Sequence, residues 1–318
     1  MPRVLVAVLA LACAAHAAAQ GGYPNAPVKL VVGFPPGGAN DILGRLVGAK
    51  LTEAWGQPVL VENKPGANAI IATEFVAKSA PDGYTLLVGA SGAMTFNPGL
   101  YQKLNYDPVR DFAPVTLLGS FPLVLAVNSS LPAQSVKELI EHARGAGGKL
   151  NYAAGSTPFQ LAAELFKIQA GIAITHIPYK GSAAAVGSVM ANDTQLTFVD
   201  APPVMGQIRG GKLRGLAVTS RTRAASLPEL PTMIEAGMAD FDVVLWTSLF
   251  APAGTPRPVI DRIQQQVANT LRMPDVRERM LGLGITPVGS TPEELAVILK
   301  ADLEKWTRVA KSAGVKAD

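Results

Sequence analysis

Short apolar runs that end in glycine- or proline-containing turns alternate along the chain with longer segments whose apolar residues recur at helical spacing. The runs predict strands and the longer segments predict amphipathic helices. Predicted strands cover residues 28–33, 59–62, 85–89, 115–118, 123–127, 150–153, 174–177, 196–199, 213–218, 243–250 and 285–288. Predicted helices cover residues 39–54, 68–79, 136–144, 158–170, 183–191, 203–209, 231–236, 256–271, 274–283 and 292–313. This alternation predicts parallel βαβ units in an α/β fold whose sheets are flanked by helices.

The turn after residues 28–33 is rich in proline and glycine. Its sequence is FPPGG at 34–38, and a helical pattern begins near Ala39. The first N–H groups of a helix lack partners within it and carry the positive end of the helix dipole. The segment therefore predicts an anion site built from backbone rather than from Lys or Arg, with an ordinary strand-to-helix turn as the alternative.

Two later turns have the same order of strand, polar turn and helix. ITHI at 174–177 is followed by PYKGS at 178–182 and then by a helical run. NYAAGSTPF at 151–159 places Ser156 or Thr157 at a helix N-cap and Pro158 in the first turn. We expect the three turns to line one crevice.

The N-terminus has the organisation of a secretory signal peptide. Arg3 precedes an apolar run at 4–15, and the small residues that follow fit a signal-peptidase site. We expect residues 1–20 to be removed, with cleavage near Ala17–Gln20, and the protein to be exported to the periplasm. The only cysteine, Cys13, lies inside this segment, so the exported chain needs no disulfide. Lipid attachment at Cys13 is the alternative.

Composition narrows the class of protein further. Of 318 residues, 48% are hydrophobic and 16% charged, which is typical of a compact globular chain large enough for two domains. The formal net charge is only +4, and no basic stripe with interleaved aromatic residues is present, so nucleic acid is not an expected partner. After the N-terminal segment, no stretch approaches the ~20 apolar residues of a membrane span.

Irregular polar residues lie at 106–115 and are followed by SFP at 120–122, and a proline-rich stretch lies at 251–256. They suggest that the chain crosses between domains near residues 121 and 248. The first lobe would then contain residues 21–121 and 249–318, and the second lobe residues 122–248. Two crossings make a hinge, and a crevice between hinged lobes suits a small molecule.

A set of short motifs, ordered along the whole chain after the signal segment, resembles the tripartite tricarboxylate transporter solute receptors, also called the Bug family. The motifs are YP at 23–24 with PVK at 27–29, GFPPGG at 33–38 with Asp41, VENKPGA at 61–67, APDGYTLL at 80–87, DF at 111–112 with PV at 114–115, PYKG at 178–181, and LPT at 230–232 with EAG at 235–237.

The resemblance implies a two-lobed periplasmic binding protein of the Venus-flytrap, type II-like class. Such receptors bind small organic carboxylates between the lobes, largely through backbone N–H groups and ordered water from the first turn and the YKG turn. The resemblance also implies a monomer that delivers its ligand to membrane permease subunits. Some members have no permease and serve in sensing, which is the alternative role.

The residues that we expect to line the cleft are Phe34, Pro36, Gly37, Gly38, Ala39, Asn40, Asp41, Ser91, Ser156, Thr157, Gln160, Tyr179, Lys180, Gly181, Ser182, Ala183 and Asp200. Several have structural alternatives. Asp41 complements a helix dipole, Ser156 and Thr157 are natural caps, and Asp200 is placed to cap the helix after it.

Catalytic signatures are missing from the sequence. It contains no Gly-x-Ser-x-Gly elbow, His-Glu-x-x-His motif or phosphate-binding P-loop. We therefore expect neither an enzyme, nor a cofactor, nor a metal site. A hydrolase built on His176, which we interpret as a core or ladder residue of its strand, and an adhesive surface protein are the remaining alternatives. The identity of the carboxylate stays open.

Overall fold

The computed structural model describes residues 22–313, and the predictions for residues 1–20 and Cys13 lie outside them. The strands are β1 (Val28–Val32), β2 (Val59–Asn63), β3 (Thr85–Ala90), β4 (Phe112–Asn128), β5 (Asn151–Ala154), β6 (Thr175–Pro178), β7 (Leu196–Asp200), β8 (Leu213–Val218), β9 (Val244–Pro252) and β10 (Thr286–Pro287).

The α-helices are α1 (Ala39–Trp55), α2 (Ile70–Ala77), α3 (Asn97–Leu100), α4 (Val136–Gly145), α5 (Thr157–Ala170), α6 (Ser182–Ala191), α7 (Ala201–Arg209), α8 (Arg257–Arg272), α9 (Pro274–Gly282) and α10 (Pro292–Ala313). A 3₁₀ turn at Ala67–Ala69 precedes α2, and a π-helical turn at Gly92–Phe96 precedes α3.

The strands are joined in the order β2-β1-β3-β9-β4-β7-β5-β6, with β10 and β8 also paired to β4. The long strand β4 belongs to two sheet regions. Up to Pro122 it pairs with β9 in what we call the first sheet region, and from Leu123 it pairs with β7 and β8 in the second sheet region. The chain returns to the first region where β9 begins, at Val244 beside Pro122.

The core of the first region shows why its pattern folds as it does. Helix α1 carries Leu43, Val47 and Leu51 at helical spacing, and all three are fully buried. They face β1, of which Leu30 and Val32 are also fully buried. This packing fixes the N-terminus of α1 at the carboxyl end of β1, where the first proline- and glycine-rich turn lies.

Three predicted elements differ from the structure, two strands and one helix. Residues 115–118 and 123–127 were expected to be separate strands, yet they form the single strand β4. Pro114 and Pro122 lack an N–H. The register shifts beside Pro114, and Pro122 sits where β4 exchanges partners, so the sheet absorbs both prolines.

The predicted helix at 231–236 is only a hydrogen-bonded turn. Thr232 and Glu235 form reciprocal capping bonds, since the Thr232 N–H donates to Glu235 Oε2 at 2.8 Å and the Glu235 N–H donates to Thr232 Oγ1 at 3.0 Å. Gly237 then adopts a φ of 94°, which ends the turn before a helix can propagate.

The expectation of parallel units holds only in part. Strands β1, β2 and β3 are parallel to one another along their pairings, as are β5, β6 and β7. Strands β8, β9 and β10 and the crossing strand β4 add antiparallel pairings. Strands β4 and β9 pair antiparallel because they carry the chain between the regions in opposite directions. Within residues 22–313, no helix is long and apolar enough to cross a bilayer.

Candidate functional site

Two adjoining cavities lie in the cleft between the sheet regions. The outer cavity measures about 390 Å³ and the inner cavity about 30 Å³. The turns before α1, α5 and α6 reach both, since both cavities are lined by Phe34, Pro35, Gly155, Ser156 and Gly181. The three turns singled out from the sequence therefore meet in one place.

Most of the sequence-predicted site residues line one cavity or both. In the outer cavity these are Phe34, Ser156, Thr157, Gln160, Tyr179, Lys180 and Gly181. In the inner cavity they are Phe34, Gly38, Asn40, Asp41, Ser91, Ser156, Gly181, Ser182 and Asp200. Pro36, Gly37, Ala39 and Ala183 line neither of these two cavities. Contact of any of these residues with a ligand stays a prediction.

The N-terminus of α1 holds a carboxylate of the protein itself. The Ala39 N–H donates to Asp200 Oδ2 at 2.6 Å, although the two residues come from different sheet regions. The Gly37 N–H donates to Asp41 Oδ2 at 3.1 Å. The partial positive charge expected of this turn is thus engaged by two internal acids in this conformation.

Asp200 is the more unusual of the two acids. Only 2% of the residue is exposed, and its Oδ1 is buried without a hydrogen-bond partner. Burial raises the pKa of Asp200, opposed by hydrogen bonds from Ser182 and from the Ala39 N–H. Asp200 precedes α7 in the N-cap position, but its side chain makes no capping bond there.

Asp41 has the opposite electrostatic character. Its Oδ1 accepts from Arg45 Nε at 2.9 Å and from Asn63 Nδ2 at 2.9 Å. Burial pushes the pKa of Asp41 upward, but the hydrogen bonds from Arg45, Asn63 and the Gly37 N–H outweigh it and hold the pKa below its usual value. Asp41 therefore braces the first turn as an ionised carboxylate.

The turns before α5 and α6 pack directly on each other. The Gly181 N–H donates to the Gly155 carbonyl at 3.1 Å. A Cβ on Gly155 would lie 2.3 Å from the Gly181 oxygen, so only glycine fits there. Gly181 has a φ of 86°, which also favours glycine. This contact brings two helix N-termini to one edge of the outer cavity.

The side chains at the N-terminus of α5 are not used as caps. Ser156 is the N-cap residue, and its side chain makes no capping hydrogen bond. Thr157 Oγ1 instead donates to Asn97 Oδ1 at 3.0 Å, which links the second sheet region to the first. Gly92 and Pro158 also meet across the cleft, since a Cβ on Gly92 would lie 2.9 Å from Pro158 Cγ. The cleft is closed in this structure.

The charge around the cavities is sparse. Among the described residues that line the outer or the inner cavity, Lys180 is the one lysine or arginine. Burial lowers the pKa of His176, which disfavours its positively charged form, and Lys167 acts in the same direction while Glu164 opposes it. Any anion in the outer cavity would therefore depend chiefly on backbone dipoles.

One wall of the outer cavity is formed by residues 65–69 and was not predicted from the sequence. Ala67, Asn68 and Ala69 have φ values of 46°, 51° and 70°, a left-handed run that residues with a Cβ rarely adopt. Asn68 Nδ2 donates to Tyr101 Oη at 2.6 Å, and the Asn68 carbonyl accepts from Asn97 Nδ2 at 3.0 Å. The motif VENKPGA marked this segment, but only the tertiary fold places it at the cleft.

His176 has the strand position that the sequence indicated, but its place at the outer cavity was not predicted. It lies in β6 as expected of a ladder residue, and its ring stacks on Tyr152 with centroids 5.1 Å apart. It also lines the outer cavity, while its Nε2 is buried without a partner. Tyr152 in turn donates to Glu164 Oε1 at 2.5 Å. Within residues 22–313, no group of three or more His, Cys, Asp or Glu side chains is arranged to hold a metal ion.

Comparison with known proteins identifies a family and a fold for this chain. Residues 43–315 match the family model described as the tripartite tricarboxylate transporter family receptor. The solved structure of the periplasmic binding protein BugD has a TM-score of 0.89 and 33% identity, over 93% of this chain and 100% of that one.

Two further solved structures are described with a ligand. A protein of R. palustris with adipate has a TM-score of 0.90 and 35% identity, over 93% of this chain and 99% of that one. MatC from Rhodopseudomonas palustris with bound malate has a TM-score of 0.85 and 31% identity, over 90% of this chain and 99% of that one. The matches confirm the family resemblance and the periplasmic-binding-protein fold inferred from the motifs.

Proposed function

We propose, from the premise that this chain belongs to the tripartite tricarboxylate transporter family of receptors, that it captures a small organic carboxylate in the cleft between its sheet regions. One observation carries the proposal. The N-termini of α5 and α6 meet through the contact of Gly155 with Gly181 and open together onto the outer cavity. Two helix N-termini at one edge form a site for a single anionic group.

The ligand carboxylate is expected at the backbone of Ser156 and Thr157 and at the first N–H groups of α6, beside Gly181, whose own N–H is bonded to the Gly155 carbonyl. Lys180 adds a positive charge nearby without being the main partner. The body of the ligand would occupy the rest of the outer cavity against Phe34 and Tyr179. The proteins solved with adipate and with malate support this ligand class.

The proposed role is that of a receptor rather than an enzyme. Its family is one of solute receptors, and the protein would act by binding and release. Export to the periplasm after removal of residues 1–20, and delivery of the ligand to membrane permease subunits, complete the proposal. Signalling to a membrane partner without transport is the alternative.

Closure would occur between two lobes formed by residues 21–121 with 249–318 and by residues 122–248. The passage of β4 between sheet regions at Pro122 and Leu123, and the return at Val244, support these boundaries. Both crossings lie side by side, so a small rotation there would open or close the cleft.

A thermal-shift screen of organic acids, each paired with its primary amide, tests the proposal. At 100 times its dissociation constant, a specific ligand should stabilise the fold by about 2.7 kcal/mol. We expect at least one acid to do so while its amide, which has the same shape and no charge, does not. Stabilisation by no acid, or equally by acid and amide, would contradict the proposed function.

A further inference from the structure

A groove lies on the opposite side of the crossing strands from the cleft. One part of it measures about 240 Å³ and the other about 670 Å³, and they are continuous because both include Ala225, Ser226 and Leu281. Phe121 lines this groove and also the inner cavity of the cleft. The crossing strands therefore separate the two, and we call this surface the hinge groove.

The hinge groove carries an excess of positive charge. Arg209, Arg272 and Arg277 line it, against the single acid Glu278. Arg209 Nη2 donates to the Ser226 carbonyl at 3.3 Å. Within residues 22–313, no carboxylate lies within ion-pair distance of Arg272 or Arg277, whereas Arg223, at the other end of the groove, is paired with Glu235.

The walls of the groove belong to different sheet regions. Arg209 and Ser226 come from the part of the chain between the two crossings, whereas Arg272 and Arg277 come from the part after β9. A Cβ on Gly284 would lie 3.1 Å from Ser226 Oγ and 2.7 Å from the Ala201 Cβ, so the walls are already in close contact at one end. A hinge rotation that opens the cleft must change the spacing of these walls.

We propose that the hinge groove binds an acidic segment of a protein partner and that it does so more tightly when the cleft is closed. Two arginines without ion-pair partners favour carboxylates, and Arg recognises them in a fixed fork geometry. The groove is concave and joins two cavities, which suits an extended segment better than a flat lipid surface. Only the dependence on closure rests on the proposed function.

Linkage gives the proposal a measurable consequence. A carboxylate that stabilises the closed cleft also stabilises the wall spacing seen here, so each ligand must raise the affinity of the other by the same factor. A partner bound at the groove would thereby distinguish loaded from empty receptor without touching the ligand.

Fluorescence anisotropy with a fluorescein-labelled peptide of six alternating Glu and Asp residues tests the groove in the absence of any ligand. The double substitution R272E/R277E should weaken peptide binding at least ten-fold. The matched control R262E/R279E changes the net charge by the same amount, at exposed arginines of α8 and α9 that do not line the groove. This control should weaken peptide binding less than two-fold. Circular dichroism checks that all variants fold.

Absence of peptide binding, or an equal loss in both double variants, would overturn the proposal, because the groove would then have no specific role. So would binding to phosphatidylglycerol vesicles that R272E/R277E abolishes while peptide binding is unchanged.

The coupling is tested by repeating the titration with a saturating carboxylate, whose binding is measured separately by calorimetry. Peptide affinity should rise at least three-fold. Carboxylate binding without any change in peptide affinity would overturn the dependence on closure. If no carboxylate binds, the proposed function fails, and the ligand-free titration alone decides whether the groove binds acidic segments.

Discussion

At the scale of single residues, Asp41 and Asp200 show what a sequence can and cannot indicate. Asp41 lies in the first turn of α1, where an acid complements the helix dipole, and its bonds to the Gly37 N–H and Arg45 agree with that structural interpretation. Asp200 follows a strand and precedes a helix, and this position indicated either a residue that lines the cleft or a cap of the following helix. Its bond to Ala39 joins positions 161 residues apart, and no local pattern encodes such a contact.

The pKa of Asp200 predicts an unusual dependence of stability on pH. Because burial raises that pKa in the folded protein, the contribution of Asp200 to stability is present at low pH and is lost as the pH rises through the folded-state pKa. The variant Asp200→Asn cannot titrate and retains an oxygen for the Ala39 N–H. Its stability relative to wild type should therefore improve between pH 4 and pH 8, by about 1 kcal/mol, the usual size for an unpaired buried group. Thermal unfolding at several pH values measures this.

Asp41→Asn is the matched comparison, and its stability relative to wild type should change with pH in the opposite direction. The pKa of Asp41 in the folded protein is held below its usual value. The contribution of Asp41 to stability is therefore present when the pH is above its unfolded-state pKa, and it is lost as the pH falls through its folded-state pKa. Asp41→Asn should destabilise the protein most near pH 7, and the difference should shrink toward pH 4 and below. If both variants respond to pH in the same direction, the electrostatic description of the α1 N-terminus is wrong.

At the scale of elements, local periodicity predicted most helices and strands, and β8 and α10 have the expected bounds. The misses have physical reasons. Prolines normally end strands, yet the partner exchange at Pro122 keeps β4 continuous. The Thr232–Glu235 pair normally starts a helix, yet Gly237 stops it after one turn. The left-handed run at Ala67–Ala69 violates local preference and is fixed by contacts with distant residues.

The N-terminus of α5 makes an element-scale prediction. Thr157→Val keeps the β-branched shape and the backbone N–H but removes the hydroxyl that donates to Asn97 across the cleft. The closed form then loses one buried hydrogen bond, worth roughly 1 kcal/mol, so carboxylate affinity should fall about five-fold. Calorimetry gives the affinity, and Thr157→Ser serves as the control that restores the hydroxyl. Unchanged affinity in Thr157→Val would show that this bond does not contribute to closure.

At the scale of the whole molecule, the motifs sufficed to predict a two-lobed receptor, because they extend over most of the chain in a fixed order. The matching family model and the BugD structure confirm that class. The lobe boundaries stay a prediction. Residues 34–38, 155–157 and 180–182 could be expected to meet, but the wall at 65–69 and the basic hinge groove depend on how the regions pack.

Hinge closure predicts a change in overall dimensions. Small-angle scattering should show a smaller radius of gyration with a saturating carboxylate than without it, since ligand binding favours the form in which Thr157 contacts Asn97 and Ala39 contacts Asp200. The primary amide of the same acid is the control and should leave the profile unchanged. Identical profiles for free and saturated protein would argue against closure on binding.

The central claim is that backbone groups at the N-termini of α5 and α6, rather than the Lys180 charge, hold the ligand carboxylate. Calorimetry on three variants tests it most directly. Gly181→Val places a β-branched side chain at a φ of 86° with its Cβ 3.2 Å from Pro35 Cδ. Gly187→Val is the same change inside α6, the helix that Gly181 precedes, and no atom lies within 4 Å of the new Cβ. Lys180→Met removes only the charge.

Provided that circular dichroism shows all three variants folded, Gly181→Val should lose at least ten-fold in affinity, about 1.4 kcal/mol, while Gly187→Val binds as wild type. Lys180→Met should lose less affinity for the carboxylate than Gly181→Val does, and this loss should become smaller as the salt concentration rises. If Lys180→Met abolishes binding while Gly181→Val binds normally, a charged side chain holds the carboxylate and the account is contradicted.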